Sequence, residues 1–132
     1  MKIATHFILI DDSSFDLFIY EKLLLKSGMA LSVQKYFSAK EAFNWIKNNA
    51  ENMPESVILL DLQMPDMNGF EFVDEYSGLP AETKEKIDIF MLSSTIDNRD
   101  IERVKSNPYI LDLLSKPLDI EMLHTNLLRL KK

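Results

Sequence analysis

Two adjacent aspartates close an apolar run in the stretch FILIDDSS (residues 7–14), where Phe7, Ile8, Leu9 and Ile10 lead directly into Asp11 and Asp12. A third, Asp61, closes a second apolar run in SVILLD (56–61). Ser93, Ser94 and Thr95 follow another, and Lys116 with Pro117 follows the last. Adjacent like charges repel, and a carboxylate beside an apolar core loses hydration. Such acids are compatible when a cation joins them. The chain has no cysteine, and no histidine accompanies these acids at the ends of the runs. The available ligands are therefore hard oxygens, which favour Mg²⁺ over zinc. Mg²⁺ takes a few carboxylates and a phosphate oxygen. A lysine ammonium can balance a second anionic oxygen as a point charge, and a hydroxyl with a backbone N–H at Ser93 and Ser94 can hold a third. The set suits a phosphoryl group.

Taken singly, each feature has a plainer explanation. An Asp pair caps a helix, a single Asp makes a turn, Ser-Ser-Thr is a loop, and a lysine before proline faces solvent. Their common position decides against that. All of them sit at the C-terminal ends of strand-like runs, and in an open parallel sheet those ends line one crevice.

The elements that place them there are read from periodicity. Strands are expected at 5–11, 32–37, 56–61, 86–93 and 109–115. The third and fourth are nearly continuous Val/Ile/Leu runs, the pattern of strands covered on both faces. Helices lie between them. The first is capped by Ser13 or Ser14, carries Leu17, Phe18, Leu24 and Leu25, and stops at Gly28. Ser38 with Glu41 forms a capping box ahead of Ala42, Phe43, Trp45 and Ile46. A third helix spans Gly69 to Ser77. Asp97 caps a fourth that ends before Pro108, and Asp119 caps a fifth with a stripe of Ile120, Leu123, Leu127 and Leu130. Five strand–helix units in succession imply an α/β fold with a parallel sheet and helices on both faces. The polar segment 77–86 reads as a surface loop.

Composition narrows the function. The chain has 132 residues, a length that suggests one domain, and is 46% hydrophobic, enough for a core. Its formal net charge is −6, which disfavours a nucleic-acid partner. No apolar run reaches the length of a membrane span and no signal peptide is evident, so a cytoplasmic protein without a membrane partner is expected. Lys131 and Lys132 read as a solvated helix end. His6 and His124 have no ligand-spaced partner, and His124 reads as a helix-surface residue. The seven methionines read as core, with one or two at a partner surface.

The segments LIDDSS, LLDLQMPDMNGFEF, MLSS and SKPL, in this order and spacing, resemble the receiver domain of two-component response regulators. The resemblance covers essentially the whole chain, 1–132, with no output domain, and implies a flavodoxin-like five-stranded sheet in the order 2-1-3-4-5. It implies that Asp61 is the phosphoacceptor, that Asp12 and Asp61 bind Mg²⁺ with the backbone carbonyl of Gln63, and that Asp11 acts mostly through metal-bound water. Lys116 would pair with Asp61 and then with the phosphoryl group, across a cis Lys116–Pro117 peptide. Ser93 would be the switch hydroxyl, and the Ser94 N–H would bind a phosphoryl oxygen. The implied partners are a histidine kinase or histidine phosphotransfer protein and a downstream protein target, with the receiver promoting its own phosphorylation and dephosphorylation. Two departures stand out. Leu113 occupies a position where the family often has Tyr or Phe, leaving Tyr109 as the nearby aromatic, and the 77–86 segment is long.

Three other functions fit less well. A hydrolase with an Asp nucleophile commonly has a second acid two residues on, where this chain has Gln63. A nucleotide- or flavin-binding module needs a phosphate cradle, and DDSSFD has no glycine and is acidic. A binding module that is never phosphorylated would not need the full acid, hydroxyl and lysine set.

Overall fold

The computed structural model describes residues 4–130, with Leu130 in backbone only. The expectations for the Leu130 side chain and for Lys131 and Lys132 lie outside the described residues. The expected alternation appears as β1 (Thr5–Ile10), α1 (Ser14–Lys26), β2 (Ala30–Tyr36), α2 (Ala39–Asn49), β3 (Ser56–Asp61), α3 (Gly69–Tyr76), α4 (Ala81–Glu85), β4 (Ile87–Ser93), α5 (Asn98–Lys105), β5 (Ile110–Ser115) and α6 (Ile120–Leu130). The strands form one five-stranded sheet in the order β2-β1-β3-β4-β5, every pair parallel. β3, at its centre, is buried along its whole length.

Two cores lie on the two faces. On one, Ala42, Ile46, Phe72, Tyr76 and Val104 from α2, α3 and α5 pack on Ile8, Ile58 and Met91. On the other, Leu17, Leu24, Leu123 and Leu127 from α1 and α6 pack on Phe7, Leu59 and Leu92. Each fully buried Leu or Phe contributes about 1.5–3 kcal/mol from lost apolar exposure. The helices start where polar side chains take up free N–H groups. Ser13 accepts from Asp16 N–H, Ser38 from Glu41 N–H, Asp97 from Asp100 N–H and Asp119 from Met122 N–H. α3 adds an unforeseen reciprocal box between Asn68 and Glu71. Gly28, at φ +80°, supplies the left-handed turn after α1.

Three expectations need correction. Residues 77–86 are not all loop: they include α4, whose Thr83 is buried. Phe18 and Leu25 are about half exposed, because the inward stripe of α1 runs through Leu17, Tyr20 and Leu24. His124 is half-buried on α6, and its Nε2 is shielded from solvent with no hydrogen-bond partner among the described residues. Tyr109, near Leu113 in sequence, sits just ahead of β5 and edge-on to Tyr76, at the far rim from Asp61. Of the methionines, Met29, Met53, Met64 and Met91 are buried and Met122 is exposed.

Candidate functional site

Three backbone hydrogen bonds carry the ladder one step past the strand ends that bear the site. Asp11 N–H donates to the Tyr36 carbonyl (3.1 Å), Leu62 N–H to that of Leu92 (2.9 Å) and Lys116 N–H to that of Ser93 (2.9 Å). The first ties the end of β1 to that of β2, and the other two join the ends of β3, β4 and β5; the sheet pairing of β1 with β3 sets the two groups side by side. The loop after β3 is closed by Gly69 N–H, which donates to the Leu62 carbonyl at 2.8 Å. A Cβ on Gly69 would lie 3.1 Å from both Leu62 Cα and Met91 Cε, so any larger residue here would have to push one of them aside by a few tenths of an ångström.

On this rim Asp11 and Asp61 are 2% and 5% exposed, while Asp12 faces solvent. One carboxylate oxygen from each of Asp11, Asp12 and Asp61 lies within 4.8 Å of the others. Lys116 Nζ lies 2.8 Å from Asp11 Oδ2, 3.2 Å from Asp16 Oδ2 and 3.5 Å from Asp61 Oδ2. The lysine expected to pair with Asp61 therefore does so, but its shortest contact is Asp11. Gln63 N–H donates to Asp61 Oδ1 at 3.2 Å. Burial, reinforced by the charge of Asp11, pushes the Asp61 carboxyl up to about 6, against the opposing pull of Lys116 and of the Gln63 N–H. Burial works against the Lys116 charge, yet the hydrogen bond and charge of Asp11, with those of Asp61 and Asp16, leave its ammonium more firmly protonated than usual.

The donor set fits a hard divalent cation. Three carboxylates converge, no histidine or cysteine among the described residues joins them, and one lysine leaves their charge uncompensated. A cavity of about 580 Å³ opens beside them, lined by Asp12, Gln63, Asn68, Phe70, Asp100 and Arg103 among others. Arg103 lies 3.8 Å above the Phe70 ring and bounds it from α5. Ser93 is buried, and its hydroxyl donates to the Thr95 carbonyl (2.6 Å) while accepting Thr95 N–H (3.2 Å). Ser94 is exposed next to it. The Lys116–Pro117 bond is cis, as the resemblance implied.

The sequence reading overlooked two acids. Asp16 reaches Lys116 from the first turn of α1, across 100 residues of sequence. Asp66, in the loop after β3, accepts from Ser38 Oγ (2.6 Å) and Lys40 N–H (3.2 Å), so it caps α2 from a different part of the chain. No local pattern announces that contact.

A doubly wound parallel sheet with acids, hydroxyl and lysine gathered on its C-terminal rim defines a class of phosphoryl-site α/β domain. The family model for the response regulator receiver domain matches residues 7–128, and the chain belongs to that family. The crystal structure of a response regulator receiver protein from Dyadobacter fermentans superposes with a TM-score of 0.88 at 49% identity, over 95% of this chain and 96% of that one. A two component response regulator from Cytophaga hutchinsonii matches with a TM-score of 0.86 at 26% identity over the full length of both chains. The chain is also 28% identical over 130 residues, 98% of its length, to the signal transduction histidine-protein kinase BarA of Escherichia coli K12, of which it spans 13%. Among the described residues no helix is long and apolar enough to cross a membrane.

Proposed function

We propose that this receiver accepts a phosphoryl group on Asp61 from the phosphohistidine of a histidine kinase or phosphotransfer protein, and passes the signal to a protein target. A bond forms between an Asp61 carboxylate oxygen and phosphorus as the histidine N–P bond breaks, leaving an aspartyl phosphate and a free imidazole. One observation carries this reading. The Asp61 carboxylate, at the end of the central strand, lies among the oxygens of Asp11 and Asp12 and 3.5 Å from Lys116 Nζ. Mg²⁺ would be held by Asp11, Asp12, Asp61 and the backbone carbonyl of Gln63. When bound, it would neutralise charge on the carboxylates and on the phosphoryl oxygens.

The chain's own groups do the rest. Lys116 balances a phosphoryl oxygen. The Ser94 N–H, on an exposed stretch, donates to another. The Ser93 hydroxyl can serve the phosphoryl group only by leaving the Thr95 carbonyl, and that change moves the loop leading into α5. Leu113, paired with Met91 in the sheet, has no hydroxyl to swing and repacks passively. Gln63 cannot supply the second acid that a hydrolase of this type would use.

The test is to incubate the protein with Mg²⁺ and a small phosphodonor and map an acid-stable, base-labile adduct by mass spectrometry. It is expected on Asp61 and absent from Asp61→Asn. Equal labelling of the variant overturns the assignment.

A further inference from the structure

We propose that Asp16 is a positioning residue, which fixes one N–H of Lys116 so that another is presented to Asp61. The consequence for transfer rests on the phosphoacceptor reading above; the geometry does not. An ammonium has three N–H donors. Three carboxylate oxygens surround Lys116 Nζ, at 2.8 Å (Asp11), 3.2 Å (Asp16) and 3.5 Å (Asp61). The two shorter contacts form a tether, and the longest is the one a phosphoryl oxygen on Asp61 would replace.

The tether is part of a closed ring. Asp11 Oδ1 accepts from Ser13 N–H at 2.9 Å, and Ser13 Oγ accepts from Asp16 N–H at 3.2 Å. Asp16 Oδ2 then accepts from Lys116, which returns to Asp11 Oδ2. The cap that starts α1 thus also sets where the Asp16 carboxylate stands. The Lys116 side chain is 15% exposed and that of Asp16 is 30%, so the contact is partly withdrawn from solvent, where ion pairs are screened less. Asp11 and Asp61 belong to the three-acid cluster, and Asp16 does not. A cation that claims Asp11 and Asp61 weakens their hold on Lys116. Asp16, with no such duty, retains it.

Two measurements decide the matter. The first is the labelling rate of parent, Asp16→Asn and Asp16→Ala at saturating Mg²⁺ and phosphodonor. Positioning predicts that the limiting rate falls about tenfold in Asp16→Ala, with the half-saturating donor concentration unchanged. Asp16→Asn, which keeps an acceptor oxygen, falls between the two. If Asp16 merely adds negative charge, both variants label equally and at least as fast as the parent, and the proposal fails. The second uses ¹⁵N-lysine NMR on the Mg²⁺-loaded proteins without any donor. The Lys116 ammonium should be protected from exchange in the parent and exchange-broadened in Asp16→Ala. Equal protection in the two overturns the proposal. Absence of label on the parent would instead refute the phosphoacceptor reading, and the ammonium measurement would still decide the role of Asp16.

Discussion

The two rims of the sheet use lysine in opposite ways. At the N-terminal rim, Lys86 Nζ donates to the Ala50 and Glu51 carbonyls at the end of α2. Lys84 donates to the Ser77 carbonyl at 2.8 Å and lies near the Tyr109 hydroxyl at 3.4 Å. Both cations satisfy backbone acceptors, and Lys84 also covers the Tyr109 ring, which is structural work. At the C-terminal rim one lysine faces Asp11, Asp16 and Asp61, with Asp12 adjoining. The N-terminal rim also holds the roomier cavity, about 850 Å³ against 580 Å³, so size does not mark the site. What marks it is charge left uncompensated. An excess of buried acid is tolerated where a ligand is to supply the missing positive charge.

Substitutions at the two rims should therefore separate stability from chemistry. The largest effect is expected for Tyr76→Ala, which removes a buried ring stacked on Phe72 and edge-on to Tyr109. Its cost should be about 3–5 kcal/mol in denaturant unfolding, with the labelling rate per folded molecule unchanged. A further loss of labelling would break the separation.

Asp61→Asn should do the reverse, gaining on the order of 2 kcal/mol at pH 7 in metal-free buffer while losing all label. The sign follows from the Asp61 carboxyl being raised from 3.8 to about 6 by burial and Asp11. Between those values the native state holds more protons than the unfolded state. Metal-free stability from this group is therefore full below pH 4 and falls as pH rises to about 6. The variant should lack that fall, and equal pH profiles would show that Asp61 is not under strain.

Mg²⁺ at ten times its dissociation constant should stabilise the parent by about 1.4 kcal/mol through preferential binding to the native state. Asp12→Ala should lose most of that effect in a melting assay. The smallest change is expected for Tyr109→Phe, which removes only a long hydrogen bond to Lys84 and should cost about 0.5 kcal/mol. Its Mg²⁺ response should match that of the parent; a reduced response would mean that the two rims communicate.

Much of this was legible in the sequence, because strand ends are set by short periodic runs. Asp11, Asp12, Asp61, Ser93 and Lys116 each sit at the end of such a run or within two residues of it, and a parallel sheet brings those ends together whatever the loops do. The helix caps at Ser13, Ser38, Asp97 and Asp119 were local patterns as well. What escaped depends on rotation or on distance along the chain. Phe18 and Leu25 read as core because α1 is apolar on several sides, and only packing against β1 selects Leu17, Tyr20 and Leu24. Asp16 and Asp66 act on partners 100 and 26 or more residues away in sequence, where no spacing rule applies. α4 escaped because its five residues carry no apolar stripe.

Asp66 also makes the crevice mechanically lopsided. One jaw, the loop after β3, is clamped twice: Gly69 N–H closes it on Leu62, and Asp66 bolts it to the start of α2. The opposite jaw, after β4, is fastened mainly to itself through Ser93 and Thr95, and it runs into α5, whose one buried residue is Val104. A force applied between them travels into the jaw that can slide. Amide shifts induced by beryllofluoride with Mg²⁺ should accordingly be large across residues 93–107 and small across 31–50. Cutting the Asp66 bolt with Asp66→Ala should let the disturbance spill into α2, turning a directed stroke into a diffuse one.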